Sequence, residues 1–190
     1  MKFQLNQTTI RLHQGDITQV AAEAIVNAAN SALASGGGVD GAIHRVGGPA
    51  ILAECRQIKG GCPTGSAVST TAGRLPAQRV IHTVGPVWQG GRKQEAKLLG
   101  SAYSAALFLA EEEGLTSIAF PALSTGAYGY PAEEACAVAL AAVLGHLQWE
   151  TVLREVIFVL FSGRDYALYQ THLQQLLATE PNLRLLANEA

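Results

Sequence analysis

The sequence predicts an α/β fold, with a sheet that is mostly parallel in its middle and covered by helices on both faces. Three observations predict it. Strand-type apolar segments alternate along the chain with segments of helical period. Several of the strand segments are near-continuous apolar runs, as expected of strands buried on both faces. Glycine, serine and asparagine fall directly after those runs, where such sheets turn at the carboxyl ends of their strands.

Taken in order, residues 3–5 and 9–13 alternate polar and apolar as short strands, and 24–26 is a small buried strand that ends abruptly in polar Asn27. Over 39–58, Ile43, Val46, Ile51, Leu52 and Cys55 recur at helical spacing, with one break expected at Gly47, Gly48 and Pro49. Val68 and the run 79–84 read as strands. Residues 95–113 form a long amphipathic helix stopped by Gly114, which suits a left-handed C′ position. A buried strand is expected at 117–123. Pro131, with Glu133 and Glu134 in the first turn, opens a helix to about Leu147 in the order the helix dipole favours. Residues 156–161 give another buried strand, and 166–177 a closing helix. The expected organisation is one domain over 1–178 and a tail, 179–190, that the pattern does not place.

Composition narrows the function. The 190 residues suit a single core, and 48% apolar against 15% charged residues, with mean hydropathy +0.18, argue against disorder. Thirteen basic and fifteen acidic residues leave a formal charge of −2, so there is no excess positive field for generic nucleic-acid binding. Three cysteines without CxxC spacing fit neither a disulfide framework nor a zinc ribbon, and point to a reducing cytoplasm. No signal-type or membrane-spanning apolar block occurs. Five scattered histidines without H-E-x-x-H predict no metal site; the absence of G-x-S-x-G excludes a serine-hydrolase elbow; and no resident cofactor is expected. The neutral balance and lack of an apolar seam predict a monomer.

The chemistry-bearing signals are the loops after the strands. Gly36 to Gly41 spells G-x-G-x-x-G, but nine residues separate it from the strand that ends near Asn27, and no acidic residue about twenty positions on ends a second strand, so a dinucleotide-dehydrogenase reading fails. Its three successive glycines still let backbone approach a ligand and leave amides free at a helix start. Asp40 falls in the first helical turn, where the plain alternative is a cap. The second loop, Ser124, Thr125, Gly126, Ala127, Tyr128 and Gly129, joins a buried strand to the Pro131 helix and can form an anion nest; with no G-K-[ST] it is not a Walker loop. A diphosphate held by neutral amides is the better match for it, against the alternative of an ordinary turn of small residues. Asp16 could accept from an exocyclic amine, with the Ile17 amide beside it, or merely cap the next segment. Phe161 could stack on a base or belong to the core.

Read together, Gly15-Asp16-Ile17-Thr18, Ile25-Val26-Asn27-Ala28-Ala29-Asn30, Gly36-Gly37-Gly38-Val39-Asp40-Gly41-Ala42-Ile43-His44-Arg45 and Ser124-Thr125-Gly126-Ala127-Tyr128-Gly129 resemble a macrodomain, in particular the MacroD-type branch that includes bacterial O-acetyl-ADP-ribose deacetylases. Cys62-Pro63-Thr64-Gly65 and the run from Val80 to Pro86 fit the same pattern, which extends from about Ile10 to Leu177. The resemblance implies a three-layer α/β/α fold with a mixed sheet and an ADP-ribose cleft. Asp16 would then read the adenine amine, Ile17 lend its amide and Phe161 stack on the ring. Gly37, Gly38, Val39 and the loop from Ser124 to Tyr128 would enclose the diphosphate and distal ribose, with Asn27 beside them. Asn30 would orient the ribose hydroxyls, and Asp40 would position or deprotonate the attacking water. The implied ligands are ADP-ribose, its esters and mono-ADP-ribosylated proteins. The implied reaction is hydrolysis at the distal ribose; a non-catalytic reader and an ADP-ribose 1″-phosphate phosphatase are the alternatives. Ser35 and Ser66 depart from residues common in that branch without removing a contact.

Overall fold

A computed structural model describes residues 1–187. Eight strands form one sheet: β1 (Lys2–Leu5), β2 (Thr8–Gln14), β3 (Ala24–Ala28), β4 (Ala67–Thr71), β5 (Arg79–Thr83), β6 (Ser117–Phe120), β7 (Glu155–Leu160) and β8 (Leu183–Leu185), in the order β4-β5-β3-β6-β7-β2-β1-β8. The five central strands are parallel, β4 at one edge and β1 near the other run antiparallel to them, and β8 pairs antiparallel with β1. Five helices complete the chain: α1 (Gly38–Gly47), α2 (Pro49–Cys55), α3 (Glu95–Glu112), α4 (Ala132–Leu147) and α5 (Gly163–Leu176).

Because side chains alternate across a strand, each central strand feeds two cores. Val26, Ile118, Phe120, Val156 and Phe158 pack on α3, α4 and α5, whereas Ile25, Ala119, Ile157 and Val159 pack on α1 and α2. This is the three-layer α/β/α arrangement, with its mixed sheet. Parallel pairing also places the carboxyl ends of β5, β3, β6, β7 and β2 along one rim. The glycine loops follow from there.

Where the structure differs from the pattern, the causes are local. β6 stops at Phe120 instead of 123 because Pro121 has no N–H to give the ladder. α5 starts at Gly163, three residues early, because Ser162 caps it: its hydroxyl accepts from Asp165 N at 3.0 Å and donates to Asp165 Oδ2. The break between α1 and α2 falls at Gly48, whose φ of 86° is open to glycine. In the segment left unplaced, 183–185 adds an edge strand to β1 and Leu183 is buried; positions 188–190 lie outside the described residues. Among the described residues no helix is long and apolar enough to cross a membrane.

Candidate functional site

The first turn, 36–40, follows β3 and opens α1. Gly37 caps the helix with backbone alone and Gly38 has φ of 57°, so the leading amides of α1 have no side-chain cap. A β-carbon at Gly37 or Gly38 would meet nothing within 4 Å, so this side of the turn is open. At Gly41 it would lie 2.7 Å from Gly36 O, so there the backbone itself is in close contact. Asp40, in the first turn of α1, is 5% exposed and faces inward. Its Oδ2 accepts the Gly36 amide in a short bond, its Oδ1 accepts Asn27 Nδ2 at 2.6 Å, and His44 Nε2 lies 3.4 Å from Oδ1. Asp40 therefore caps the turn through its carboxylate and also reaches the residue at the strand end. Asn30 supports the same turn: its side chain bonds Ala34 O at 2.6 Å and accepts Ala34 N at 3.1 Å. A β-carbon built at Gly36 would lie 3.7 Å from the Asn30 amide nitrogen and 3.2 Å from Asp40 Oδ2.

The second turn, 124–129, follows β6, the neighbour of β3, and leads into α4. Ser124 takes φ of 64° and the turn closes through Tyr130 N to Ser124 O and Gly129 N to Gly126 O. Trp88 N donates to Tyr128 O at 2.9 Å and the Trp88 ring packs on Tyr130, centroids 4.5 Å apart. Among the described residues the amides of Thr125, Gly126, Ala127 and Tyr128 donate to no other backbone group. Two adjacent turns thus offer successive uncommitted N–H groups, the first at the start of α1 and the second in the loop that leads into α4, and that is chemistry for an anion.

At the far side of the rim, Asp16 Oδ1 accepts Thr18 N at 2.9 Å and Thr18 Oγ1 at 2.8 Å, as a cap of the short 3₁₀ turn Ile17–Gln19. Among the described residues its other oxygen takes no hydrogen bond. The Ile17 side chain is buried, and Phe161, just past β7, is 80% exposed and not part of the core. β2 and β7 are neighbours, so Asp16, Ile17 and Phe161 share one end of the rim.

Asn27 stands differently from the open loop position its place after the strand suggested. It is fully buried behind Asp40, and among the described residues its Oδ1 has no hydrogen-bond partner. In register across β3 and β5 it meets His82, whose Nδ1 is 3.1 Å from Asn27 Nδ2. His82 is fully buried; burial, with the His44 charge adding, pushes its pKa down to about 4, so the ring is neutral at neutral pH. The histidines are less scattered than the sequence suggested. One donor atom each of His44, Cys55 and His82 lies within 4.8 Å of the others. Both nitrogens of His82 are engaged, by Asn27 and by Thr70 Oγ1 at 2.8 Å, and burial, then the Asp40 and Glu54 charges, push the Cys55 thiol up to about 11. With both His82 nitrogens engaged and the Cys55 thiol held protonated, the three do not make a ready metal cage.

Sequence reasoning missed three supports. His82 is one; Gly85 is another, since a β-carbon there would lie 2.1 Å from Ser124 Oγ. Glu95, buried at the start of α3, is the third: its carboxylate accepts the amides of Gln89, Gly91 and Lys93 and so fixes the segment that touches Tyr128. An acidic residue at a helix start was a visible sign; the others depended on strand register.

The Macro domain family model matches residues 26–139, which spans both turns. A macro domain-containing protein of Caldanaerobacter subterraneus is 53% identical over 170 residues, covering 88% of this chain and 97% of that protein. The O-acetyl-ADP-ribose deacetylase of Salmonella typhimurium is 52% identical over 169 residues, covering 87% and 94%. Among solved structures, the Oceanobacillus iheyensis macrodomain with ADP superposes with a TM-score of 0.91 at 43% identity, covering 94% of this chain and 97% of that one. The Trypanosoma brucei macrodomain in complex with ADP-ribose gives 0.81 at 41% identity, covering 86% and 68%. With two anion-ready turns side by side at the rim of a three-layer sheet, this chain belongs to the macrodomain family.

Proposed function

We propose that the protein binds ADP-ribose along the rim and hydrolyses acyl esters of the distal ribose, with O-acetyl-ADP-ribose as the leading substrate. The single observation that carries this is the juxtaposition of the two turns: uncommitted amides on both sides for a diphosphate, with Asp40 anchored at the base of one of them. The deacetylase named among its relatives supports the reaction class. In this reading Asp16 and Ile17 take the adenine edge and Phe161 covers its face. Gly37, Gly38 and Val39 face Ser124, Thr125, Gly126, Ala127 and Tyr128 across the diphosphate. Asn30 orients the ribose hydroxyls.

Water attacks the acyl carbon, the ester C–O bond breaks, and acetate and ADP-ribose leave. Asp40 has both oxygens receiving N–H groups, so it contributes chiefly by fixing the turn and by offering a remaining lone pair to the water. An ADP-ribosylated acidic side chain carries the same ester linkage, so mono-ADP-ribosylated proteins belong to the proposed substrate class.

The test is incubation with O-acetyl-ADP-ribose, a mono-ADP-ribosylated protein and ADP-ribose 1″-phosphate, following release of ADP-ribose. Release from the acyl esters is expected. Tight binding of all three with no release would make the protein a reader and overturn the hydrolase reading.

A further inference from the structure

We propose that His82, a core histidine of β5, is a positioning residue for the reaction: its bare Nδ1 fixes which way the Asn27 amide faces, and Asn27 in turn fixes Asp40. The inference rests on the role given to Asp40 above, and it extends the reacting assembly into the core as far as Thr70.

The atom of Asn27 that meets the Asp40 carboxylate at 2.6 Å must be a donor, because two acceptors so close in a buried place would repel. That atom is Nδ2, and its second hydrogen faces His82 Nδ1 at 3.1 Å. An amide nitrogen cannot accept, so Nδ1 carries no proton. The neutral ring then bears its proton on Nε2, 2.8 Å from Thr70 Oγ1, and Thr70 passes its own hydroxyl proton to Thr71 O at 3.1 Å. Cys55 Sγ also lies 3.7 Å from Nε2, on the protonated side of the ring, so every hydrogen along Asn27, His82 and Thr70 has a taker, and the direction of the chain follows from Asp40 being an acceptor.

The reverse dependence gives His82 its function. Turned over, the Asn27 amide would present Oδ1 to both Asp40 and the bare Nδ1, two acceptors at once. A ring with its proton on Nδ1 would favour that turned amide and deprive Asp40 of its donor. Asn27 Oδ1 has no partner in the present orientation, so nothing on its other side holds the amide in place. Register makes the arrangement: His82 lies opposite Asn27 across β3 and β5, and Thr70 comes from the next strand, β4. None of the three bonds involves the open side of the cleft.

Histidine-selective ¹⁵N spectra of the wild-type protein test the premise: His82 should be neutral with its proton on Nε2, and an Nδ1–H ring would overturn the proposal. For function, His82→Leu should keep its affinity for ADP-ribose within ~3-fold while kcat on O-acetyl-ADP-ribose falls ~10-fold, a part of the full acid–base contribution. His82→Asn, whose carbonyl can stand in for Nδ1, should recover most of the loss; equal loss in both would show a merely structural role. In the Asp40→Ala background, His82→Leu should cost less than ~2-fold more, because residues acting through one another are not additive. A full further ~10-fold loss there would overturn the proposal. Should His82→Leu fail to fold, Thr70→Val must shift the His82 ¹⁵N signals, and unchanged signals would count against the chain of bonds. Unaltered turnover in Asp40→Ala would instead remove the aspartate reading, while the ring's tautomer still decides whether Asn27 is held as described.

Discussion

The turn at 36–40 is held by side chains, and the turn at 124–129 by main chain. Asp40 bonds the Gly36 amide and Asn27, and Asn30 bonds both polar groups of Ala34. In the second turn the bonds are Tyr130 N to Ser124 O, Gly129 N to Gly126 O and Trp88 N to Tyr128 O. The difference teaches where each turn is vulnerable. Replacing one side chain can release the first, whereas the second yields only when its backbone is displaced or its neighbours are moved.

The largest effect that would sharpen this contrast is Asp40→Ala, expected to lower turnover at least ~100-fold, the scale of a lost acid–base group, and to weaken ADP-ribose binding as the first turn is released. Kinetics alongside calorimetry checks it, and near-normal turnover in a folded variant would break the comparison at its first member. Next is Gly85→Ala, which pushes a methyl group into Ser124; destabilisation of about 1–3 kcal/mol is expected from overpacking, read by denaturant unfolding, with weaker ADP-ribose binding. Asn30→Ala follows, with turnover expected ~10-fold down, less than for Asp40 because it removes an orienting group and not the anchor. Side-chain changes in the second turn should do least: Thr125→Ala should leave affinity for ADP within ~2-fold, since its hydroxyl makes only a 3.3 Å bond to Ala122 O and the amides remain.

Glu95 links acidity to the second turn. Its pKa is set by burial, which raises it, and by the amides of Glu95 itself, Lys93, Gln89 and Gly91, which lower it; the net direction is down. A carboxylate with a depressed folded pKa contributes stability that is fully present above its unfolded pKa and is lost as pH falls through the folded one. Glu95→Gln should therefore be less stable than wild type at neutral pH, with the gap closing as the pH drops below the ordinary glutamate range. Melting temperatures of the two proteins across pH would show it, and a constant gap would argue against it.

Much of the fold could be read directly from the chain. The helix expected over 95–113 and found over 95–112 with its glycine stop, the break expected across Gly47 to Pro49 and found at Gly48, and the buried strands expected at 117–123 and 156–161 and found at 117–120 and 155–160 came from periodicity and from glycine and proline, which act within a few residues. The two anion-ready turns were legible for the same reason: glycine runs before helices signal free amides locally. The roles of Asp16 and Phe161 stood between two readings because capping and exposure look alike in sequence. The structure shows Asp16 capping Thr18 with one oxygen, and Phe161 clear of the core.

What the sequence by itself determined is the alternation of strand and helix, the family pattern of its loops and the acidic residue at the head of α1. Only the tertiary structure decided that Asn27 lies behind Asp40, that His82 and Thr70 stand behind Asn27, that a β-carbon on Gly85 would run into the Ser124 hydroxyl and that 183–185 adds the edge strand. Those facts depend on strand order and register. Both are fixed by which faces of distant segments pack together, and a shift of one residue would send each of these side chains to the opposite face.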